Sequence, residues 1–194
     1  MKHYALTGGI GSGKTTVLSM FRALGIPTFS ADEVAKHLME SDDSIRSKII
    51  ALMGADAYHD GTLNRSFIAD QVFLDKAKLA KLNDLVHPAV QQAYATWKSE
   101  QHAAYSMYEA AIVFEHEAQK RFDGVILVVS PVETRIERVQ QRDGVTKASV
   151  LARMGHQLTD EQKIPMADFV IHNETLTDTE QQVTDLHRQL LAQE

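Results

Sequence analysis

Residues 8–15 read Gly-Gly-Ile-Gly-Ser-Gly-Lys-Thr, a glycine-spaced run that closes on a lysine and a hydroxyl residue. The spacing fits GxxxxGK[ST], whose chemistry is capture of phosphate. Glycines let the backbone wrap so that N–H groups converge on an anion, and a following helix adds the positive end of its dipole. Lys14 supplies a mobile positive charge, and the Thr15 hydroxyl completes the shell of a Mg²⁺ ion held otherwise by phosphate oxygens and water. The expected nucleotide contacts are Gly8, Gly9, Gly11, Ser12, Gly13, Lys14, Thr15 and Thr16. Asp32 is a second candidate, because it falls at the strand-to-helix junction that follows a short strand at 27–30. A carboxylate there either opens a helix or accepts the proton of an acceptor hydroxyl. A third is the basic run Arg135, Arg138, Arg142, Lys147, Arg153 and Lys163. Closed over a γ-phosphate, it would neutralise charge in transfer and exclude water. The three arginines at spacings of three and four also fit an ordinary solvated helix face paired with Glu133 and Glu137.

These groups need a frame. Lys2–Thr7 reads as a short strand, 14–24 as an amphipathic helix stopped at Gly25, 27–30 as a second strand and 31–39 as a helix with Asp32 in its first turn. Residues 44–101 are largely helical, interrupted at the turn His59-Asp60-Gly61 and again at His87-Pro88, where proline restricts the residue before it. Strands follow at 105–111, 124–129 and 167–172. Five strands alternating with helices predict an α/β fold with a parallel sheet, built as one domain over 1–194 with a helical insert at 44–101 and a lid at about 138–163. His87 reads as a satisfied turn or core histidine more readily than as a base, while Glu109 and Glu115 stand open between helix-cap and site roles.

Composition narrows the partners. The 194 residues carry a net charge of -6, which gives no electrostatic reason to expect DNA, RNA or an anionic membrane as partner. The longest apolar run, 125–129, is far below the roughly 20 residues a membrane span requires. Absence of cysteine suits a reducing compartment, so the expected location is the cytoplasm. No tightly spaced pair occurs among the nine histidines, so no metal site made of protein ligands is expected. A phosphate loop alone leaves a GTPase, an ATPase switch and a small-molecule kinase open. The chain lacks the guanine-reading NKxD sequence, which counts against the first.

The chain resembles the dephospho-CoA kinase family along nearly its whole length. Residues 6–15 are similar to the family's LTGGIGSGKS/T, and Leu24-Gly25 with Ala31-Asp32 to its LG…DAD segment, with Ser30 in place of the first Asp. Asp60-Gly61 with Leu63 and Arg65, Val72-Phe73, Leu82-Asn83 and His87-Pro88 match the DG…L.R…VF and LN…HP signatures. Gln141-Arg142-Asp143, Arg153 with Gln157, and Ala167-Asp168 with Val170-Ile171 and Asn173 match the lid and the closing AD.VI.N. Ala111 stands where the family commonly has the proline of PLLFE, while Glu115 keeps its glutamate. The resemblance implies a P-loop nucleoside-kinase-like three-layer fold, a helical CoA-binding insert and a lid. It further implies ATP with Mg²⁺ as co-substrate and phosphorylation of the ribose 3′-hydroxyl of dephospho-CoA in the last step of coenzyme A biosynthesis. Asp32 then acts as catalytic base, and Lys14, Arg138 and Arg142 stabilise the transferring phosphoryl group. Asp32, Arg65, His87 and Glu115 meet the acceptor, and Asn173 faces the adenine. The alternatives are another small-molecule kinase, of the nucleoside monophosphate or shikimate type, and an ATP switch with no acceptor.

Overall fold

In the computed structural model of the protein, residues 1–192 are described, excepting the side chains of Phe73 and Leu74. The conformation of the Phe73 side chain in the Val72-Phe73 pair therefore lies outside the described residues. The N-terminal stretch forms β1 (Lys2–Thr7), buried from His3 onward, and runs through residues 8–13 into α1 (Lys14–Ala23), which buries Val17, Leu18 and Phe21. β2 (Thr28–Ser30) leads directly into α2 (Ala31–Ser41) and α3 (Asp43–Met53). A hairpin of β3 (Tyr58–His59) and β4 (Thr62–Leu63) precedes α4 (Arg65–Leu74) and α5 (Lys76–Ser99). The chain continues through β5 (Tyr105–Glu109), β6 (Gly124–Val129), α6 (Val132–Asp143), α7 (Lys147–Met154), α8 (Asp160–Lys163), β7 (Phe169–His172) and α9 (Leu176–Leu191).

Its contacts divide into two compact units: Met1–Ser30 with Gln101–Glu194, and Ala31–Glu100. The first holds a five-stranded sheet in the order β2-β5-β1-β6-β7, parallel throughout. Strand order reverses around β1, which has β5 on one side and β6 on the other, so the loop leaving β1 sits where open α/β sheets bind ligands. Alternation fills both faces. Tyr4, Leu6, Ile126 and Val128 join Phe21 of α1 and Val183, Leu186 and Leu190 of α9 in one core. Ala5, Val125, Leu127 and Val129 face the other way, against Val113 and Phe114. A sheet covered on both faces explains why β6 reads as an unbroken apolar run.

The second unit is helical apart from its hairpin, whose turn places Asp60 at φ 46° and Gly61 at φ 82°. Two consecutive left-handed residues are what a tight hairpin turn demands. The unit includes α2 as well as the insert expected from residue 44. One expectation is corrected: Pro88 does not interrupt the helix, and α5 runs unbroken through it. Leu82, Val86, Val90 and Tyr94 are buried at intervals of four on that helix. Burying four large side chains, at roughly 1.5–3 kcal/mol each, outweighs the roughly 3 kcal/mol an interior proline costs.

Burial in both units pushes the hydroxyls of Tyr4, Tyr58 and Tyr105 above the ordinary value of 10.0. In an unfolded chain these phenols ionise near that value, whereas in the folded one they resist ionisation. Their stabilisation is therefore complete below about pH 10 and lost as pH rises beyond it. The thermal midpoint should stay level between about pH 7 and 9 and fall steadily above about 10. An unchanged midpoint at about pH 11 would contradict this reading.

Candidate active site

Between β1 and α1 the chain folds tightly on itself. Gly11 and Gly13 hold φ of 78° and 89°, left-handed values costly to other residues. A side chain at Gly9 would run into the Arg135 guanidinium, and one at Gly13 into the Asn173 amide. Lys14 Nζ donates to the Gly8 carbonyl at 2.9 Å and to that of Gly9 at 3.5 Å, which holds the ammonium over the loop. The Ser12 N–H returns to the Gly9 carbonyl at 3.1 Å, and the Ile10 N–H donates to Gln157 Oε1 at 2.8 Å. Gly13 caps α1 with no side-chain acceptor, so the amides of the first turn are presented for an anion, as a phosphate site requires.

Asn173 closes the C-terminal side of the loop. It is buried after β7, and its Nδ2 donates to the Ser12 carbonyl at 2.7 Å while its Oδ1 accepts from the Thr179 hydroxyl at 3.1 Å. Its carbonyl accepts from Ser130 Oγ at 2.9 Å and from Arg138 Nη2 at 3.3 Å. The Asn173 side chain is thus committed to the phosphate loop. Beside it a recess of about 180 Å³ is lined by Gly13, Thr16, Arg138, Asn173 and Leu176.

The arginines of α6 separate in kind. Arg135 is buried, donates from Nε to the Ile10 carbonyl at 2.9 Å and pairs through Nη1 with Asp160 at 3.0 Å. Arg138 reaches Ser130 Oγ and Asn173 O and lines the recess. Arg142 is exposed and grips Asp143 with two hydrogen bonds, at 2.7 and 3.0 Å, while Arg153 of α7 holds the same carboxylate at 3.0 Å. The Arg142 hydrogen bond keeps the Asp143 carboxyl below its usual range. Among the ion pairs of the described residues, Glu133 meets Lys147 instead of an α6 arginine. The solvated-face pairing is therefore replaced: Arg135 turns to the phosphate loop, Arg138 to Ser130 and Asn173, and Arg142 to Asp143.

The carboxylates divide similarly. Glu115 Oε1 lies 2.8 Å from the fully buried Lys163 Nζ and accepts from the Leu158 N–H at 3.0 Å, so it ties α8 to the 110–118 segment. Glu109 is buried at the end of β5, in register with Leu6 of β1, and accepts from Ser30 Oγ at 2.7 Å. Sequence reading left Glu109 unranked because strand pairing cannot be read from spacing. In the helical unit, Asp32 lies in the first turn of α2, Arg65 opens α4 behind its N-cap Asn64, and His87 is an exposed residue of α5. Among the described residues no group of three or more His, Asp or Glu could hold a metal ion. Thr15 is exposed in the first turn of α1, where a hydroxyl can join phosphate oxygens and water around a Mg²⁺ ion.

A phosphate loop on a reversed parallel sheet describes many kinases, and likeness over the whole chain separates them. The family profile for dephospho-CoA kinase matches residues 3–179. The chain belongs to the dephospho-CoA kinase family. Members of that family phosphorylate dephospho-CoA with ATP. A dephospho-CoA kinase of Salinibacter ruber is 39% identical over 192 residues, covering 96% of each chain. A Thermus thermophilus protein of known crystal structure is 30% identical, with a TM-score of 0.87, over 97% of this chain and 96% of its own. A dephospho-CoA kinase from Campylobacter jejuni shares the fold, with a TM-score of 0.67 at 23% identity, over 98% of this chain and 97% of its own. Membership of this family favours dephospho-CoA as acceptor over shikimate or a nucleoside monophosphate. Among the described residues no helix is long and apolar enough to cross a membrane.

Proposed function

We propose that the chain moves the γ-phosphoryl group of ATP to the ribose 3′-hydroxyl of dephospho-CoA in the cytoplasm, giving coenzyme A and ADP. The observation that carries this reading is likeness to dephospho-CoA kinases along nearly the whole chain, and the loop at 8–15, with Lys14 folded over it and an α1 N-terminus that no side chain caps, supports the ATP site. Because the Ile10 and Ser12 amides are committed to Gln157 and Gly9, the triphosphate is held chiefly by Lys14 and the amides of the first turn of α1. Thr15 would hold Mg²⁺, which when bound offsets charge on the phosphate oxygens. Asp32 accepts the hydroxyl proton as the new O–P bond forms and the bond to the β-phosphate oxygen breaks. Arg138 and Arg142 face the phosphoryl group in transfer, and release of Arg142 from Asp143 is the change that would bring it there. Arg65 and His87 contact the acceptor. Asn173 bears on the nucleotide through the backbone it holds, beside the recess that takes the base.

The test is ADP release from purified protein with ATP and Mg²⁺, comparing dephospho-CoA with AMP, CMP, shikimate and no acceptor. Turnover with dephospho-CoA alone, and a product of the mass and mobility of coenzyme A, is expected. Turnover with another acceptor, or ADP release indifferent to any acceptor, would reject the proposal.

A further inference from the structure

Ile10, at the tip of the phosphate loop, is held by all three of its groups. Its side chain packs on the cluster of Ile136, Val139 and Val150 contributed by α6 and α7. Its N–H donates to Gln157 Oε1 at 2.8 Å, and its carbonyl accepts from Arg135 Nε at 2.9 Å. Arg135 is itself fixed by Asp160 Oδ2 at 3.0 Å, with side-chain exposures of 7% and 15% that shield the pair from solvent screening. Gln157 is fixed as well, because its Nε2 reaches the Ala111 carbonyl at 3.4 Å and the neighbouring Leu158 N–H is bound by Glu115. Thr159 caps α8 through a reciprocal pair with Gln162, which fixes the turn that carries Asp160. Gly9 and Gly11 lie against Arg135 so closely that a side chain at either would displace it.

We infer that Arg135, Gln157 and Asp160 are positioning residues for ATP, a clamp that sets the curvature of the phosphate loop by fixing the backbone groups of Ile10 on both sides. A loop built of glycines has many conformations to lose on binding phosphate, and holding its tip in advance removes that cost. The clamp acts on nucleotide affinity and on the alignment of the γ-phosphate. It leaves the acceptor contacts alone. The inference rests on the reading of residues 8–15 as the ATP loop.

The experiment measures ATP affinity by titration, then KM for ATP, KM for dephospho-CoA and kcat, in the wild type and in Gln157→Met, Asp160→Ala and their double variant. Losing the Gln157 hydrogen bond to the loop, or the Asp160 partner that holds Arg135 against it, should weaken ATP binding about 5- to 10-fold in each single variant, with KM for dephospho-CoA within about twofold of wild type. The double variant should fall short of the product of the two, since both act on one residue. Asp160→Asn keeps an oxygen for Arg135 Nη1 and should recover ATP affinity to within about threefold. ATP affinity unchanged in Gln157→Met, whose half-buried side chain can be replaced without emptying a core, would overturn the clamp even if Asp160→Ala failed to fold. Equal losses toward both substrates would overturn it too, by showing a general loosening. A wild type that bound no ATP would instead remove the reading of the loop on which the clamp rests.

Discussion

Replacing Asp32 by Asn is expected to lower kcat by on the order of 10²-fold or more, with little change in ATP affinity. A carboxylate is a weak base toward an alcohol, so its contribution comes late, as the hydroxyl oxygen bonds to phosphorus and its proton becomes acidic. Asn keeps the size and one oxygen but cannot take that proton. Asp32 sits in the first turn of α2, where a carboxylate also complements the helix dipole. Its loss there costs about 0.3–1 kcal/mol of helix stability, which a melting curve separates from the kinetic effect. Steady-state kcat with a nucleotide titration decides the matter: a variant that turns over within about threefold of wild type takes Asp32 out of the chemistry.

Lys14→Met should lose kcat by on the order of 10²- to 10³-fold and weaken ATP binding as well. Two losses combine in this variant. The positive charge that answers the γ-phosphate in the transition state is gone, and so are the hydrogen bonds from Nζ to the Gly8 and Gly9 carbonyls. Methionine keeps most of the stem, so packing is little disturbed. Lys14→Arg should recover only part of the rate, because a planar guanidinium does not reproduce a compact ammonium against these two carbonyls. Joint measurement of kcat and ATP affinity tests this, and a Lys14→Met enzyme with near-normal kcat would assign the phosphate charge to another group.

The two variants probe residues that sequence alone marked, and that marking has a local cause. A phosphate loop is contiguous, and its glycines, lysine and threonine declare a backbone path without reference to the rest of the chain. The strand and helix on either side declare themselves by period, which is why Lys2–Thr7 and Gly124–Val129 fall where spacing puts them. Pro88 shows the limit of the same reasoning. Its local rule is sound, yet burial of four side chains along α5 overrides it. Which of the α6 arginines is buried against the loop was equally out of reach. Arg135, Arg138 and Arg142 share one helix and one residue type, but only the first is buried against Ile10 and Asp160.

By itself, then, the sequence determined the phosphate loop, the alternation of strands and helices, the parallel sheet and the family resemblance, because each depends on near neighbours or on periodic burial. Tertiary structure alone decided what holds that loop. Gln157 and Arg135 reach Ile10 across separations of 147 and 125 residues, and Asn173 reaches Ser12 across 161. Glu115 meets Lys163, and Ser30 meets Glu109, only after strands and loops distant in sequence are brought side by side. Hydrogen bonds of this kind leave no spacing in the chain, since their partners are chosen by the packing of the sheet and not by the period of any one element.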